Sequence, residues 1–248
     1  MTPKNIPNRE RLIFAMDVAD PQAARQLVEQ LGDAVVFYKI GLELFMSGGY
    51  FELLDWMVAR GKKIFVDLKF FDVPATVAAA VRQLSGRGVT FATIHGNQAI
   101  MEAAAAAKGD VKILAVTVLT SLNSQNLSRM GFQEEYVRDL LKLVLLRARI
   151  AKEAGCQGIV CSGQEVAAVK REYPDLIAVT PGIRPAWSVV GQDDDDSGDN
   201  QDGDEIHENL PKRLRSRGLY LPSKNGKTHI KRGVRPCQGH ARLTSIGH

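Results

Sequence analysis

Asp67, Lys69 and Asp72 follow directly on the apolar run Lys63-Ile64-Phe65-Val66. The run reads as a strand, and a strand alternates its side chains, so Asp67 and Lys69 are expected on one side of the sheet. Asp72 lies just past the strand's end, free to curl back over the same pocket. Two acids and one lysine converging there lose hydration together, which a fold does not need for stability. Groups of this kind serve proton transfer and the stabilisation of developing charge.

Other polar residues fall at the ends of neighbouring apolar runs. Strand one ends Ala15-Met16-Asp17, strand two carries Lys39-Ile40-Gly41 and strand four ends Thr93-Ile94-His95-Gly96. Strand five ends Thr117-Val118-Leu119-Thr120 and strand six Cys161-Ser162-Gly163. Strand seven ends Thr180-Pro181-Gly182-Ile183-Arg184-Pro185. Two lysines and three aspartates thus crowd the rim of the first three strands. His95, which closes a strand, reads as a structural residue rather than a catalyst.

The elements that must carry these groups form a repeated unit over residues 12–190: a short apolar strand, a polar turn, an amphipathic helix. Strands are expected at Leu12–Val18, Val35–Gly41, Lys63–Lys69, Phe91–Gly96, Lys112–Thr120, Gly158–Gly163 and Ile177–Gly182. Helical patterns between them include Pro21–Leu31, Tyr50–Arg60, Val73–Arg87 and Tyr136–Ala154. Gly32, Gly61, Gly88 and Gly155 stand where a left-handed C-cap suits glycine. Strands apolar on both faces and alternating with helices imply a parallel sheet covered on its outside. Seven units in about 190 residues point to an α/β fold of the (β/α)8 TIM-barrel type, its active face at the strands' C-terminal ends. The polar stretch Ser121–Ser128 reads as a mobile lid or a plain surface loop.

Composition narrows the class. The 248 residues are 45% apolar and 24% charged, as in an ordinary soluble globular protein. No stretch approaches 18 uninterrupted apolar residues, so no membrane partner is expected. The N-terminal segment has no apolar core of a signal peptide, and a cytoplasmic location is expected. Cys156, Cys161 and Cys237 match no zinc spacing and read as reduced thiols. Cys237 and His240 supply only two ligands, so no metal site is expected.

The net charge of +4 conceals an unusual ending. Residues 192–208 hold nine acids and no Lys or Arg, and residues 209–248 hold ten Lys and Arg and no acids. The division expected is a barrel domain of seven units over residues 1–190, followed by an atypical acidic-then-basic segment, 191–248. Like-charge blocks of this kind are normally disordered. The basic part has only Tyr220 as an aromatic platform, which argues against nucleic acid as a partner.

The stretches Phe14-Ala15-Met16-Asp17, Lys39-Ile40-Gly41, Asp67 to Thr76 (DLKFFDVPAT) and Thr180 to Pro185 (TPGIRP) resemble orotidine 5'-phosphate decarboxylases, in order, over residues 10–190. Hexulose-phosphate synthases and keto-gulonate-phosphate decarboxylases share DxKxxD but are less close at TPGIRP. The resemblance implies a ribulose-phosphate-binding type of barrel. It implies loss of CO2 from C6 of orotidine 5'-phosphate to give UMP in pyrimidine synthesis, with no metal or organic cofactor. Asp67 would lie against the substrate carboxylate; two such charges about 4 Å apart repel by roughly 4 kcal/mol at an effective dielectric near 20. Lys69 would stabilise the carbanion and protonate C6, with Lys39 and Asp72 holding it in place. The acid matching Asp72 and the threonine matching Thr76 come from the partner subunit in the family, which implies a homodimer with shared sites. Asp17 and Lys39 would bind ribose hydroxyls, and Thr120 and Ser162 would reach the ribose or the pyrimidine edge. Pro181, Gly182 and Arg184 belong to the substrate-binding segment of strand seven.

After Val190 the chain departs from the family's pattern. Gln192 and Gln201 are the candidates for the place of the family's phosphate-gripping glutamine, though neither lies in the family's sequence context. The run Asn225–Pro236 faintly echoes the last strand and its Gly-Arg pair, with Arg235 in the arginine's place. Leu219–Leu221 and Thr228–Ile230 are poor candidates for an eighth strand, and neither that strand nor the last helix is legible. Two readings of the tail stand open. It is a divergent or frame-shifted ending that leaves the barrel with an open edge, or an appendage to a barrel completed in another way. Under the first, the alternative to an active decarboxylase is a catalytically impaired barrel lacking a complete phosphate site.

Overall fold

The computed structural model describes residues 6–183 and 242–247. The segment 184–241, which holds the acidic run, Arg184, Gln192, Gln201, Arg235, Cys237, His240 and both eighth-strand candidates, lies outside the described residues.

Seven strands follow one another as parallel neighbours: β1 (Leu12–Ala15), β2 (Phe37–Gly41), β3 (Lys63–Phe70), β4 (Val89–Ile94), β5 (Lys112–Val116), β6 (Gly158–Val160) and β7 (Ile177–Ile183). The helices are α1 (Asn8–Arg11), α2 (Pro21–Leu31), α3 (Leu42–Met46), α4 (Tyr50–Val58), α5 (Pro74–Arg82), α6 (Gln98–Ala107), α7 (Ser124–Arg129), α8 (Glu134–Arg138), α9 (Leu140–Glu153) and α10 (Gly163–Glu172). Helix α2 shows how local chemistry sets an element. The Asp20 carboxylate accepts the Ala23 N–H at 2.8 Å, Pro21 occupies the first turn, and Gly32 ends the helix at φ +52°. Ala24, Val28 and Leu31, spaced for one face, are its buried residues.

The seven parallel strands leave a gap between β7 and β1. It is filled by β8 (Arg242–Gly247), hydrogen-bonded antiparallel to both: Leu12 pairs with Ser245 on one side and Val179 with Ile246 on the other. The edge that one of the two readings of the tail leaves open is therefore covered, though not by a parallel strand with its own helix. The molecule is a seven-stranded parallel α/β sheet joined by one reversed stave, not a full (β/α)8 repeat.

Alternation along the strands separates two apolar layers. Ile13, Phe37, Phe65, Phe91, Leu114, Val179 and Ile246 form one cluster, one residue from each of seven strands. Phe91 packs against Phe37 at 5.4 Å and Phe65 at 6.0 Å between ring centroids. The strand residues between them, such as Phe14, Tyr38, Val66 and Ala92, join the larger cluster with the helices. Most of the stretch Ser121–Ser128, read as a lid or a loop, forms the start of α7. Asn123 and Asn126 cap its start reciprocally, each side chain accepting the other's backbone N–H.

Candidate active site

Above the Phe37–Phe65–Phe91 layer, Lys39, Asp67 and Thr93 stand two residues further along β2, β3 and β4, and Asp17 lies two residues past the end of β1. Lys39 Nζ lies 3.2 Å from Asp17 Oδ1 and 3.5 Å from Asp67 Oδ2. Lys69 Nζ lies 3.0 Å from Asp67 Oδ1. The charges thus alternate Asp17, Lys39, Asp67, Lys69 across the rim of three strands. Exposure rises along the pair that faces outward: the Asp67 side chain is 12% exposed and that of Lys69 40%.

Asp67 is ionised in spite of its surroundings. Burial works against its charge most strongly, but Lys39, Lys69 and hydrogen bonds from Lys69 and Thr93 together outweigh it and hold the carboxyl below its ordinary value. A depressed acid contributes stability that is present above its unfolded value, near 3.8, and is lost as pH falls through the folded value. Asp67→Asn is therefore expected to flatten the acid limb of stability against pH, read by urea denaturation from pH 7 down to about pH 2.5. An unchanged acid limb would show that Asp67 does not carry this linkage. Behind Asp67, the buried Tyr50 hydroxyl donates to the Ile40 carbonyl at 3.1 Å. Burial, then the nearby Asp67 charge, push its ionisation well above the usual tyrosine range.

Asp72 does not curl back over this pocket. The chain turns after β3, and the exposed Asp72 carboxylate instead accepts the Val73 N–H at 2.6 Å ahead of α5. Thr76, in the first turn of α5, is also exposed. Thr120 lies exposed in a turn beyond β5. Ser162 is the N-cap of α10, in a capping box whose Glu165 carboxylate accepts the Ser162 N–H at 2.8 Å. Pro181 and Gly182 sit in β7 where its pairing with β8 shifts register, with Gly182 at φ +82°. Lys39, Asp17, Asp67 and Lys69 are thus assembled; Asp72 and Thr76 stand apart from them.

Two residues that sequence reasoning passed over belong to this face. Thr93, wholly buried, donates its hydroxyl to Asp67 Oδ1 at 2.9 Å. It was findable as the residue that follows Phe91 on the same side of β4. Arg147, inside α9, donates to the Thr117 carbonyl at 2.6 Å and gave no signal that set it apart from the other charges of that amphipathic helix. Lys69, His95, Leu119, Leu122, Phe132 and Arg147 are among the residues lining a largely apolar cavity of about 360 Å³. His95 packs edge-on against Phe71, and its Nδ1 has no partner among the described residues. Burial, then the charges of Arg147 and Lys69, lower its pKa, which favours the neutral ring. Among the described residues no group of three or more His, Cys, Asp or Glu is placed to hold a metal. Burial pushes both described thiols, Cys156 and Cys161, up to about 12.

The family model described as "Orotidine 5'-phosphate decarboxylase / HUMPS family" matches residues 10–209, most of the chain and further into the acidic run than the motifs reach. The chain belongs to this family. Among its relatives in the decarboxylase family, the orotidine 5'-phosphate decarboxylase of Methylococcus capsulatus is 59% identical over 183 residues, 73% of this chain and 74% of that one. That of Stenotrophomonas maltophilia is 48% identical over 190 residues, 75% of this chain and 77% of that one. The crystal structure of orotidine 5'-phosphate decarboxylase from Lactobacillus acidophilus superposes with a TM-score of 0.65 at 31% identity. It covers 80% of this chain and 97% of that one.

Proposed function

We propose that this chain decarboxylates orotidine 5'-phosphate to UMP, a carbon–carbon lyase reaction carried by its own side chains without a cofactor. The observation that carries the reading is the alternating row Asp17–Lys39–Asp67–Lys69, held between 3.0 and 3.5 Å apart on the rim of β1 to β3. The identity to decarboxylases of the family supports it.

In this reading the substrate's C6 carboxylate is set beside Asp67, and their repulsion fades as CO2 departs. The C6–carboxyl bond breaks, its electron pair stays at C6, and Lys69 faces the developing charge and delivers a proton from Nζ to that carbon. Lys39 and Asp17 bind ribose hydroxyls, and Lys39 also keeps Asp67 ionised. Thr120, Ser162, Pro181, Gly182 and Arg184 are the further substrate-binding residues of this reading. Gln192 and Arg235 are the candidates for the phosphate.

The working unit is a homodimer with shared sites. Asp72 and Thr76 are exposed beside Phe71, at 69%, and Val73, large apolar residues that a lone subunit leaves in water. A patch of this kind marks a contact surface. The barrel is of the ribulose-phosphate-binding type, with residues 1–190 together with β8 as its domain, so the acidic-then-basic segment begins as an insertion and ends as a stave rather than standing wholly outside the barrel. The location is cytoplasmic; no described helix is long and apolar enough to cross a membrane.

One observation favours a second reading. The stave that completes the ring is antiparallel, whereas the resemblance implies a parallel eighth unit whose Gly-Arg pair grips phosphate. A barrel so completed binds phosphate weakly, and an enzyme draws on such remote contacts for its chemical step. The loss of orotidine 5'-phosphate absorbance with purified protein, alongside UMP binding by calorimetry, separates the two. Turnover at ordinary enzymatic rates supports the active decarboxylase. Folded, dimeric protein that neither turns over substrate nor binds UMP supports the impaired barrel.

A further inference from the structure

Past Val66 the ladder between β3 and β4 loses its regular step. Val66 pairs with Ala92, and the next pairing is Phe70 with Ile94, so four residues of β3 advance against two of β4. Asp67, Leu68 and Lys69 are the bulge, a device that re-aims side chains. Lys69 sits at φ +47°, the sole non-glycine residue with positive φ among the described residues. The pairing of Asp67 with Lys69 is therefore not a product of strand alternation.

A bulge takes a backbone N–H away from its ladder acceptor, and a buried N–H needs another. Here the Lys69 N–H donates to Thr93 Oγ1 at 2.9 Å. The same hydroxyl donates its one proton to Asp67 Oδ1 at 2.9 Å. The directions are fixed by chemistry, since an amide N–H only donates and an ionised carboxylate only accepts. Asp67 Oδ1 also receives Lys69 Nζ at 3.0 Å. Three hydrogen bonds thus close a ring from the Lys69 backbone through Thr93 and Asp67 to the Lys69 ammonium. Thr93 is 0% exposed, so water does not compete for either bond. Its branched Cβ restricts χ1, which fixes the hydroxyl's direction.

We propose that Thr93 is a positioning residue whose hydroxyl sets the left-handed backbone of Lys69 and the orientation of Asp67, so that the Lys69 ammonium is presented to the reacting carbon. Its catalytic consequence rests on the decarboxylase reading; its effect on Asp67 and Lys69 does not.

The test compares Thr93→Val, which keeps the shape and loses both hydrogen bonds, with Thr93→Ser, which keeps the hydroxyl. In the full chain, Thr93→Val is expected to lower kcat for orotidine 5'-phosphate by about 100-fold, the scale of a small misplacement of a reacting group. KM and UMP affinity should stay within about threefold, and Thr93→Ser should recover kcat to within about fivefold. The Asp67 carboxyl, followed by carbon-13 NMR, should titrate at higher pH in Thr93→Val and not in Thr93→Ser. A merely structural threonine would lower the yield of Thr93→Val while leaving kcat of the folded protein and the Asp67 titration unchanged. That result overturns the proposal. Should Thr93→Val not fold, Thr93→Ala against Thr93→Ser gives the same comparison. If the unmodified protein shows no turnover, the decarboxylase reading fails, and the Asp67 titration still decides the role of Thr93.

Discussion

Lys69→Ala is expected to lower turnover of orotidine 5'-phosphate by about 10⁴-fold or more while leaving UMP binding within about tenfold. Lys69 is asked to do two things in succession, stabilise charge at C6 and then protonate it. Loss of a general acid alone is worth roughly 10² to 10⁴, and loss of one stabilising donor roughly 10² to 10³. Its neighbour Lys39 is no substitute, because its Nζ is already engaged between Asp17 and Asp67. The left-handed backbone of Lys69 allows the chemistry to be separated from the strain. A non-glycine residue in that conformation is held against roughly 1–2 kcal/mol, which glycine does not bear. Lys69→Gly should therefore be as inactive as Lys69→Ala and melt at a higher temperature than it. Residual kcat above about 1% of the unmodified enzyme in both variants would place the proton donor elsewhere.

The largest effect on stability is expected at Ile246. Its side chain is 6% exposed and completes the layer made by Ile13, Phe37, Phe65, Phe91, Leu114 and Val179. Truncation of such a residue to alanine costs about 2–5 kcal/mol. Ile246→Asp adds the desolvation of a carboxylate among aromatic rings, a penalty of several kcal/mol more. A domain holds only about 5–15 kcal/mol in total, so Ile246→Asp should abolish the cooperative unfolding transition, while Ile246→Val should cost only about 0.5–1.5 kcal/mol. Urea denaturation followed by circular dichroism measures both. Unfolding of Ile246→Asp at the same midpoint as the unmodified chain would mean that β8 is not a stave of the barrel in solution. The effect should reach the active site as well, because Arg242 pairs with Ala15, two residues before Asp17.

The difference between what the sequence discloses and what it conceals follows from where each signal lives. Strands β1 to β7 were legible because each is a local apolar run, and α2 because Asp20, Pro21 and Gly32 mark its ends. Asp17, Lys39 and Asp67 were legible because alternation within a strand places them. Lys69 was legible as a residue but not as a geometry, since the bulge that turns it toward Asp67 depends on pairing with β4. The helix at Ser124–Arg129 was concealed by its polar composition, although the reciprocal Asn123 and Asn126 cap was there to be noticed. The stave at Arg242–Gly247 has neither a continuous apolar run nor a clean period of two. What makes it a strand is the pair of unmet edges on β1 and β7, which no local window contains.

The reversed stave also governs the order in which the molecule can form. Each of β1 to β7 finds its neighbour after a connection of a few tens of residues, whereas Leu12 meets Ser245 across nearly the whole chain. Closing so long a loop gives little return until both edges are engaged, and non-local pairing of this kind slows folding. The parallel sheet is therefore the early product and ring closure the late one. Until the stave docks, the hydrogen-bonding groups of β1 and β7 stand open to any other strand, including the same edges of a second copy. The yield of native protein is then a race between an intramolecular closure, whose rate is independent of concentration, and an intermolecular one that is not.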